Sequence, residues 1–286
     1  MINIKKAVIP AAGLGTRMLP ASKSMPKEMI CLVDKPAIQY IVEEAASAGI
    51  EDILIILSRG KSLVEDHFDR SPELEWRLSQ TGKESLLDQM TDISKLANIC
   101  YVRQHEALGL GHAIYQAKAF VGDSPFAVLY GDDVVISKNP AIRQLCDAYE
   151  QYGLGVAGVK PVPIEHLPRY GSTKASHISG NHYTITDMIE KPPPGQEFSN
   201  LAILGRCVLP SEIFGILEKT PKGVGGEIQL TDAMRYLAIE KTMIGVEYEG
   251  TRYDMGNKLS YMQASVELAL SHPEISAQFA DYLKSL

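Results

Sequence analysis

Cysteine is scarce and scattered. Cys31, Cys100, Cys146 and Cys207 show no CxxC and no Cys/His ligand spacing, which argues against a disulfide scaffold and a structural zinc site and fits a reducing cytoplasm. Basic charge is short as well: 28 Lys and Arg stand against 35 Asp and Glu, a net charge of -7. That surface repels a duplex polyanion and excludes nucleic acid as a general partner, so a small polyanionic substrate would need a local basic cluster. Long hydrophobic runs are missing too. The front block AVIPAA falls far below the roughly 20 residues of a membrane-spanning helix. Lys5 and Lys6 precede it in the manner of a signal peptide, but Pro10, Gly13, Thr16 and Arg17 interrupt any apolar core. No GxSxG or HExxH occurs, which removes serine-triad and zincin hydrolysis. What is present, 286 residues with 45% hydrophobic and 22% charged, suffices for a sizeable core in one large domain or two small ones.

The first half alternates strand-like and helix-like stretches, the pattern of an α/β fold with a mostly parallel sheet. Lys6 to Pro10 reads as a short buried strand. Pro36 suits a first helical turn, Ile38, Ile41, Val42 and Ala45 share one face, and Gly49 supplies the stop. Ile53 to Leu57 reads as a strand buried on both faces, with a helix from about Lys61 to Phe68 after it. Glu73 to Leu96 has helical propensity without a clean stripe. Ile99 to Arg103 and Phe126 to Tyr130 are strand candidates, with a helix over Gly111 to Phe120 between them. Ser179-Gly180-Asn181 marks a turn between Thr173 to Ile178 and Tyr183 to Ile189, a hairpin. Lys258 to Leu270 reads as a helix ended by His272-Pro273. No internal repeat or linker is visible. The chain is therefore expected to be a single domain with two functional lobes, 1–150 and 151–257, followed by terminal helices over 258–286. That last stripe would either close its own core or pack a second subunit in a homo-oligomer, dimer or tetramer.

The most informative stretch is Ala11-Ala12-Gly13-Leu14-Gly15-Thr16-Arg17, directly after a strand and followed by Lys23 and by Pro26-Lys27-Glu28. Two glycines let the backbone turn and aim N–H groups at an anion, while Arg17 and Lys27 neutralise phosphate oxygens. Met18 stands where GxGxxG needs its third glycine, and no GK[ST] follows, so neither a dinucleotide fingerprint nor a Walker loop is present. Without the cations, the same GxG would read as a tight turn. Gly131-Asp132-Asp133 lies at a strand's carboxyl end, where ligands gather in α/β sheets and carboxylates suit Mg²⁺, although Gly and Asp also make solvated turns. Asp254, in Tyr253-Asp254-Met255-Gly256, is a third carboxylate or a helix cap. Gly109-Leu110-Gly111-His112 would let a flat base approach the backbone, with Gln104 reading its edge, or would simply open a helix. His105 and His112 lack a carboxylate at metal spacing and read as solvated or satisfied histidines. Glu190 and Lys191, with Gly171 upstream, pair a hydroxyl acceptor with a phosphate cation, as would any exposed ion pair on a strand end. These residues suit phosphoryl or nucleotidyl transfer, whose phosphate nucleophile is already ionised and needs no general base.

Taken in order, AAGLGTRMLP, PKE, VDKPAIQYIVEEA, GLGHA, GDD, EKP, GGEIQLTDA and YDMG resemble the bacterial UTP–glucose-1-phosphate uridylyltransferase (UDP-glucose pyrophosphorylase) family over nearly the whole chain. The resemblance implies a nucleotidyltransferase fold, Rossmann-like and layered α/β/α about a mixed, mostly parallel sheet, with a hairpin-containing sugar-binding lobe. It implies UTP and glucose 1-phosphate as substrates, Mg²⁺ as cofactor, and UDP-glucose and pyrophosphate as products. By position it assigns Ala11, Ala12, Gly13, Glu28, Gln104 and Gly109 to uridine and Gly15, Arg17 and Lys27 to the triphosphate. Asp132 and Asp254 fall to Mg²⁺, and Gly171, Glu190 and Lys191 to glucose 1-phosphate; Arg17, Lys27 and Lys191 would offset charge during transfer. Tyr170-Gly171-Ser172-Thr173 and Gly256-Asn257 depart from the usual pattern and bear on sugar selectivity. A thymidylyltransferase shares the cradle but prefers dTTP. A catalytically silent regulatory paralogue would have lost Arg17, Lys27 or Asp132, and all three are present.

Overall fold

A computed structural model describes residues 4–286. Its strands, in chain order, are β1 (Lys6–Pro10), β2 (Cys31–Leu32), β3 (Lys35–Pro36), β4 (Asp52–Leu57), β5 (Asn98–Arg103), β6 (Phe126–Leu129), β7 (Asp133–Ile136), β8 (Val156–Pro161), β9 (Gly171–Ser179), β10 (His182–Glu190), β11 (Leu201–Leu209), β12 (Met243–Glu247) and β13 (Thr251–Asp254). Nine of them form one sheet in the order β5-β4-β1-β6-β11-β8-β12-β10-β9. Its first four strands are mutually parallel, whereas β11 and β10 run against their neighbours. The expected mixed sheet is therefore present, although its pairings are not mostly parallel: four are parallel and five antiparallel.

Alternation along the central strands divides two cores. Ala7, Ile9, Ile53 and Ile55 face one, and Val8, Leu54 and Ile56 face the other. The helix Ala37–Ser47 covers the first with Ile38, Ile41, Val42 and Ala45, all fully buried. The three larger of these side chains, Ile38, Ile41 and Val42, each contribute about 1.5–3 kcal/mol relative to exposure. Leu230, Ala233, Met234 and Leu237 of the helix Leu230–Lys241 seal the second core. Glu73 to Leu96 becomes two helices, Pro72–Gln80 and Glu84–Ile93, the second with no buried residue. The missing stripe reflects that exposure. The expected helix over Gly111 to Phe120 is split into Leu110–Tyr115 and Lys118–Val121.

The hairpin turns at Gly180-Asn181, as expected from the sequence. Its edge is not free. The start of β9 pairs with β11 (Ser172 with Ala202, Gly171 with Ile203), so β11, β8, β12, β10 and β9 close into a ring of five strands. Closure removes an exposed edge, and β11 bends to permit it between Ile203 and Cys207, where Gly205 holds φ at 64°. A side chain there would also collide with the Asp133 carboxylate, 2.2 Å from an ideal Cβ. Sequence reading missed this ring because β8, β11 and β12 are apolar runs without alternation, and register between distant strands has no local signal.

Candidate active site

The loop after β1 leaves the sheet between β4 and β6, at the carboxyl ends of parallel strands. Its polar groups are sorted. Lys61 Nζ bonds the Ala11 carbonyl and, at 2.7 Å, that of Gly13, while Ser22 Oγ donates to Gly15 O at 2.6 Å. Among the described residues, none of the N–H groups from Ala12 to Arg17 has a protein acceptor. A run of amides without protein acceptors is open to an anion where a turn lets successive N–H groups converge.

A cavity of about 390 Å³ opens beside the loop, lined by Ala12, Gly13, Gly15, Lys27, Glu28, Gln104, Gly109, Tyr130 and Asp132 among others. Ala11, fully packed, lies beneath the loop and outside that lining. The Gln104 amide is steadied by Gly109 O and His112 Nδ1, both at 3.0 Å. His112 also meets Gln116 at 3.2 Å, a satisfied histidine as its spacing suggested. Gly109 does line the cavity, but its lack of a side chain has another cause: an ideal Cβ would sit 2.7 Å from Glu227 Cβ and from Ile228 O. The close approach is made by the protein's own 227–229 segment.

At the mouth, charges converge. Lys27 bonds Asp132 directly, and the Arg17 guanidinium reaches Asp132 at 4.0 Å and Asp254 at 3.8 Å. The β7–β13 ribbon builds this meeting, for its register sets Asp254 against Asp133, and Met255 N donates to Asp132 O at 2.9 Å. Burial alone would raise the Asp132 carboxyl, but Lys27 and Arg17 hold it below the usual range. Burial likewise opposes the Lys27 charge, yet Asp132 and Glu28 keep its pKa above normal. Asp254 does not cap the following helix; Asn257 does, accepting from Leu259 N at 2.9 Å and Ser260 N at 3.2 Å. Asp133 points the other way, paired with Arg252 inside the fold.

Two carboxylates that already gather a guanidinium and an ammonium suit a hard cation which takes one or two protein oxygens and completes its shell with phosphates and water. Among the described residues no three His, Cys, Asp or Glu side chains are grouped to hold a metal by themselves.

Gly171, Glu190 and Lys191 form a second group outside the cavity lining. Gly171 stands opposite Glu190 in the hairpin register, Thr231 Oγ1 donates to Glu190 Oε2 at 2.7 Å, and Lys191 Nζ lies 3.4 Å from Glu190 Oε1. Lys191 adopts φ 46°, with its N–H donating to Tyr170 O at 2.9 Å. A lysine held in the left-handed region is uncommon and marks a position fixed by its surroundings. Lys61, Thr231 and Tyr130 carried no assignment from sequence; Thr231 lies within GGEIQLTDA, which offered the one available signal.

The family model described as nucleotidyl transferase matches residues 6–271. The UTP–glucose-1-phosphate uridylyltransferase YngB of Bacillus subtilis is 52% identical over 284 residues, covering 99% of this chain and 96% of that protein. A Staphylococcus epidermidis protein of the same name is 51% identical over 286 residues, 100% of this chain and 99% of its own. This chain belongs to the UTP–glucose-1-phosphate uridylyltransferase family. Its nucleotidyl transferase fold is shared with the UTP-bound enzyme of Acinetobacter baumannii, at 40% identity and TM-score 0.91 over 99% of both chains. A UDP-glucose pyrophosphorylase complexed with UDP-glucose matches at 40% identity and TM-score 0.87, over 94% of this chain and 100% of that one.

Proposed function

We propose that the chain is a Mg²⁺-dependent uridylyltransferase that joins UTP to glucose 1-phosphate, within an α/β/α scaffold whose hairpin-bearing half takes the sugar phosphate. The observation that carries this is the meeting of Arg17, Lys27, Asp132 and Asp254 beside a loop of unpaired amides. Ala12, Gly13, Glu28, Gln104 and Gly109 surround the uridine, with Ala11 beneath them. The amides around Gly15, with Arg17 and Lys27, receive the triphosphate. Asp132 and Asp254 hold Mg²⁺, which when bound screens the phosphate charge.

Glu190, steadied by Thr231, accepts from sugar hydroxyls, and Lys191 meets the sugar's phosphate. An oxygen of glucose 1-phosphate attacks the α-phosphorus of UTP; the bond from that phosphorus to the bridging oxygen breaks, and pyrophosphate leaves in line. No proton has to be removed from the nucleophile, so the residues act by positioning and by charge. The cations and carboxylates of the site neutralise one another, and substrate phosphates would compete with Asp132 and Asp254 for the same cations.

The test is pyrophosphate release with UTP or dTTP, paired with glucose 1-phosphate or galactose 1-phosphate, each with and without Mg²⁺. Metal-dependent release that prefers UTP and glucose 1-phosphate is expected. Preference for dTTP would make the chain a thymidylyltransferase, and tight UTP binding without release under any pairing would make it a silent paralogue.

A further inference from the structure

Lys61 begins the helix Ser62–Phe68, far from the loop in sequence, yet its side chain is 9% exposed and ends beneath the phosphate loop. Its three ammonium protons meet the Ala11 carbonyl, the Gly13 carbonyl and the Glu28 carboxylate, whose oxygens lie at 2.8 and 3.0 Å. Glu28 is itself 1% exposed. Burying an ammonium is costly unless every proton finds a partner, and removing one member of such a pair is more costly than keeping both. The chain carries this arrangement where an amide or hydroxyl would be cheaper to bury.

Its geometric consequence lies in the loop. Ala11 and Gly13 are alternate residues, and with Gly15 O taken by Ser22 the carbonyls at 11, 13 and 15 are all drawn onto protein donors. A peptide plane whose C=O turns one way presents its N–H the other way, and the amides of Ala12 to Arg17 are without protein acceptors among the described residues. Were the carbonyls at 11 and 13 released, those planes could rotate and set oxygens, rather than N–H groups, against an anion. We propose that Lys61 is a positioning residue for the nucleotide: it touches no substrate, but holds the loop with its amides toward the triphosphate of UTP. This rests on the reading of the cavity as a UTP site.

The experiment is UTP binding by calorimetry, together with two-substrate kinetics, on the intact chain and on Lys61→Met. The dissociation constant and KM for UTP are expected to rise at least tenfold, while KM for glucose 1-phosphate, at saturating UTP, stays within twofold. Lys61→Gln leaves Glu28 without its cation, as the methionine variant does, but keeps an amide donor for the carbonyls and is expected to regain at least threefold of the lost affinity. It carries the same readout should the methionine variant not fold. UTP affinity within twofold of the parent in the folded variants overturns the proposal, as does a parallel rise in both KM values that tracks a fall in Tm. Failure of the unaltered chain to bind UTP would overturn the functional reading and this one with it, whereas normal binding by the parent and by the variants would overturn this one alone.

Discussion

Two charge clusters meet at the peptide bond between Asp132 and Asp133, and they are built on opposite rules. On the Asp133 side, Arg206 is closed in: its Nε and Nη2 reach the Glu44 carboxylate at 3.0 and 2.6 Å, Nη1 donates to Gly205 O, and Nη2 donates also to Asp133 O, both at 2.9 Å. Glu44 Oε1 further accepts from Ile142 N at 2.9 Å, tying the helix Ala141–Tyr152 to the helix Ala37–Ser47 across the sheet end. On the Asp132 side, Lys27 and Arg17 hold carboxylates at the edge of a cavity, with Arg17 64% exposed and the loop amides unpaired. Both clusters pair acids with bases, buried on the Asp133 side and half-buried to exposed on the Asp132 side. The difference is saturation: charges whose partners are complete are part of the frame, and charges left with spare valence beside an opening are available to a ligand.

The sharpest way to break that contrast is to remove one charge from the closed cluster. Arg206→Met leaves the Glu44 carboxylate buried without its cation and is expected to cost about 3–5 kcal/mol of stability, read by chemical unfolding. Turnover per folded molecule should stay near the parent's, because no Arg206 nitrogen faces the cavity. A variant as stable as the parent would mean that the closed cluster is not a frame.

The reciprocal change is Asp132→Asn. Turnover is expected to fall by about 10²–10³ if the carboxylate acts chiefly in the transition state, with the metal response lost and Tm changed far less than by Arg206→Met. A normal Mg²⁺ response in Asp132→Asn would move the metal to other oxygens and dissolve the contrast between neighbours.

Much of this was legible in the chain. The parallel β1, β4, β5 and β6, the hairpin and the terminal helix all follow from periodicity and turn residues, because each is decided within a dozen residues. Local spacing marks the cradle Ala11 to Arg17 and Asp132 as candidates, Asp254 stands equally as a helix cap until the family resemblance singles it out, and the structure brings Arg17, Lys27, Asp132 and Asp254 together. What escaped was non-local. Nothing near Lys61 says that its ammonium lies under a loop fifty residues earlier, and nothing near Arg206 says that it meets Glu44. The reason for Gly109 escaped in the same way, since the segment that crowds it is Glu227 to Gln229. Residues placed by tertiary packing leave no periodic trace.

A smaller effect separates two carboxyls inside the open cluster. Burial pushes Glu28 upward against the pull of Lys61 and Lys27, whereas burial of Asp132 is outweighed by Lys27 and Arg17 and its pKa falls. The signs are opposite for stability. With its folded pKa depressed, Asp132 adds stability that is present above its unfolded value near 3.8 and lost as pH falls through the lower folded value. With its folded pKa raised, Glu28 adds stability that is present below about 4.5 and lost as pH rises through the higher folded value. In an acid titration followed by carboxyl-carbon NMR, Glu28 should therefore take up its proton first, while Asp132 stays ionised below the pH at which an unfolded aspartate would be half protonated. Protonation in the reverse order would mean that Lys27 and Arg17 do not hold Asp132 as a carboxylate, and the open cluster would lose the feature that fits it for a cation.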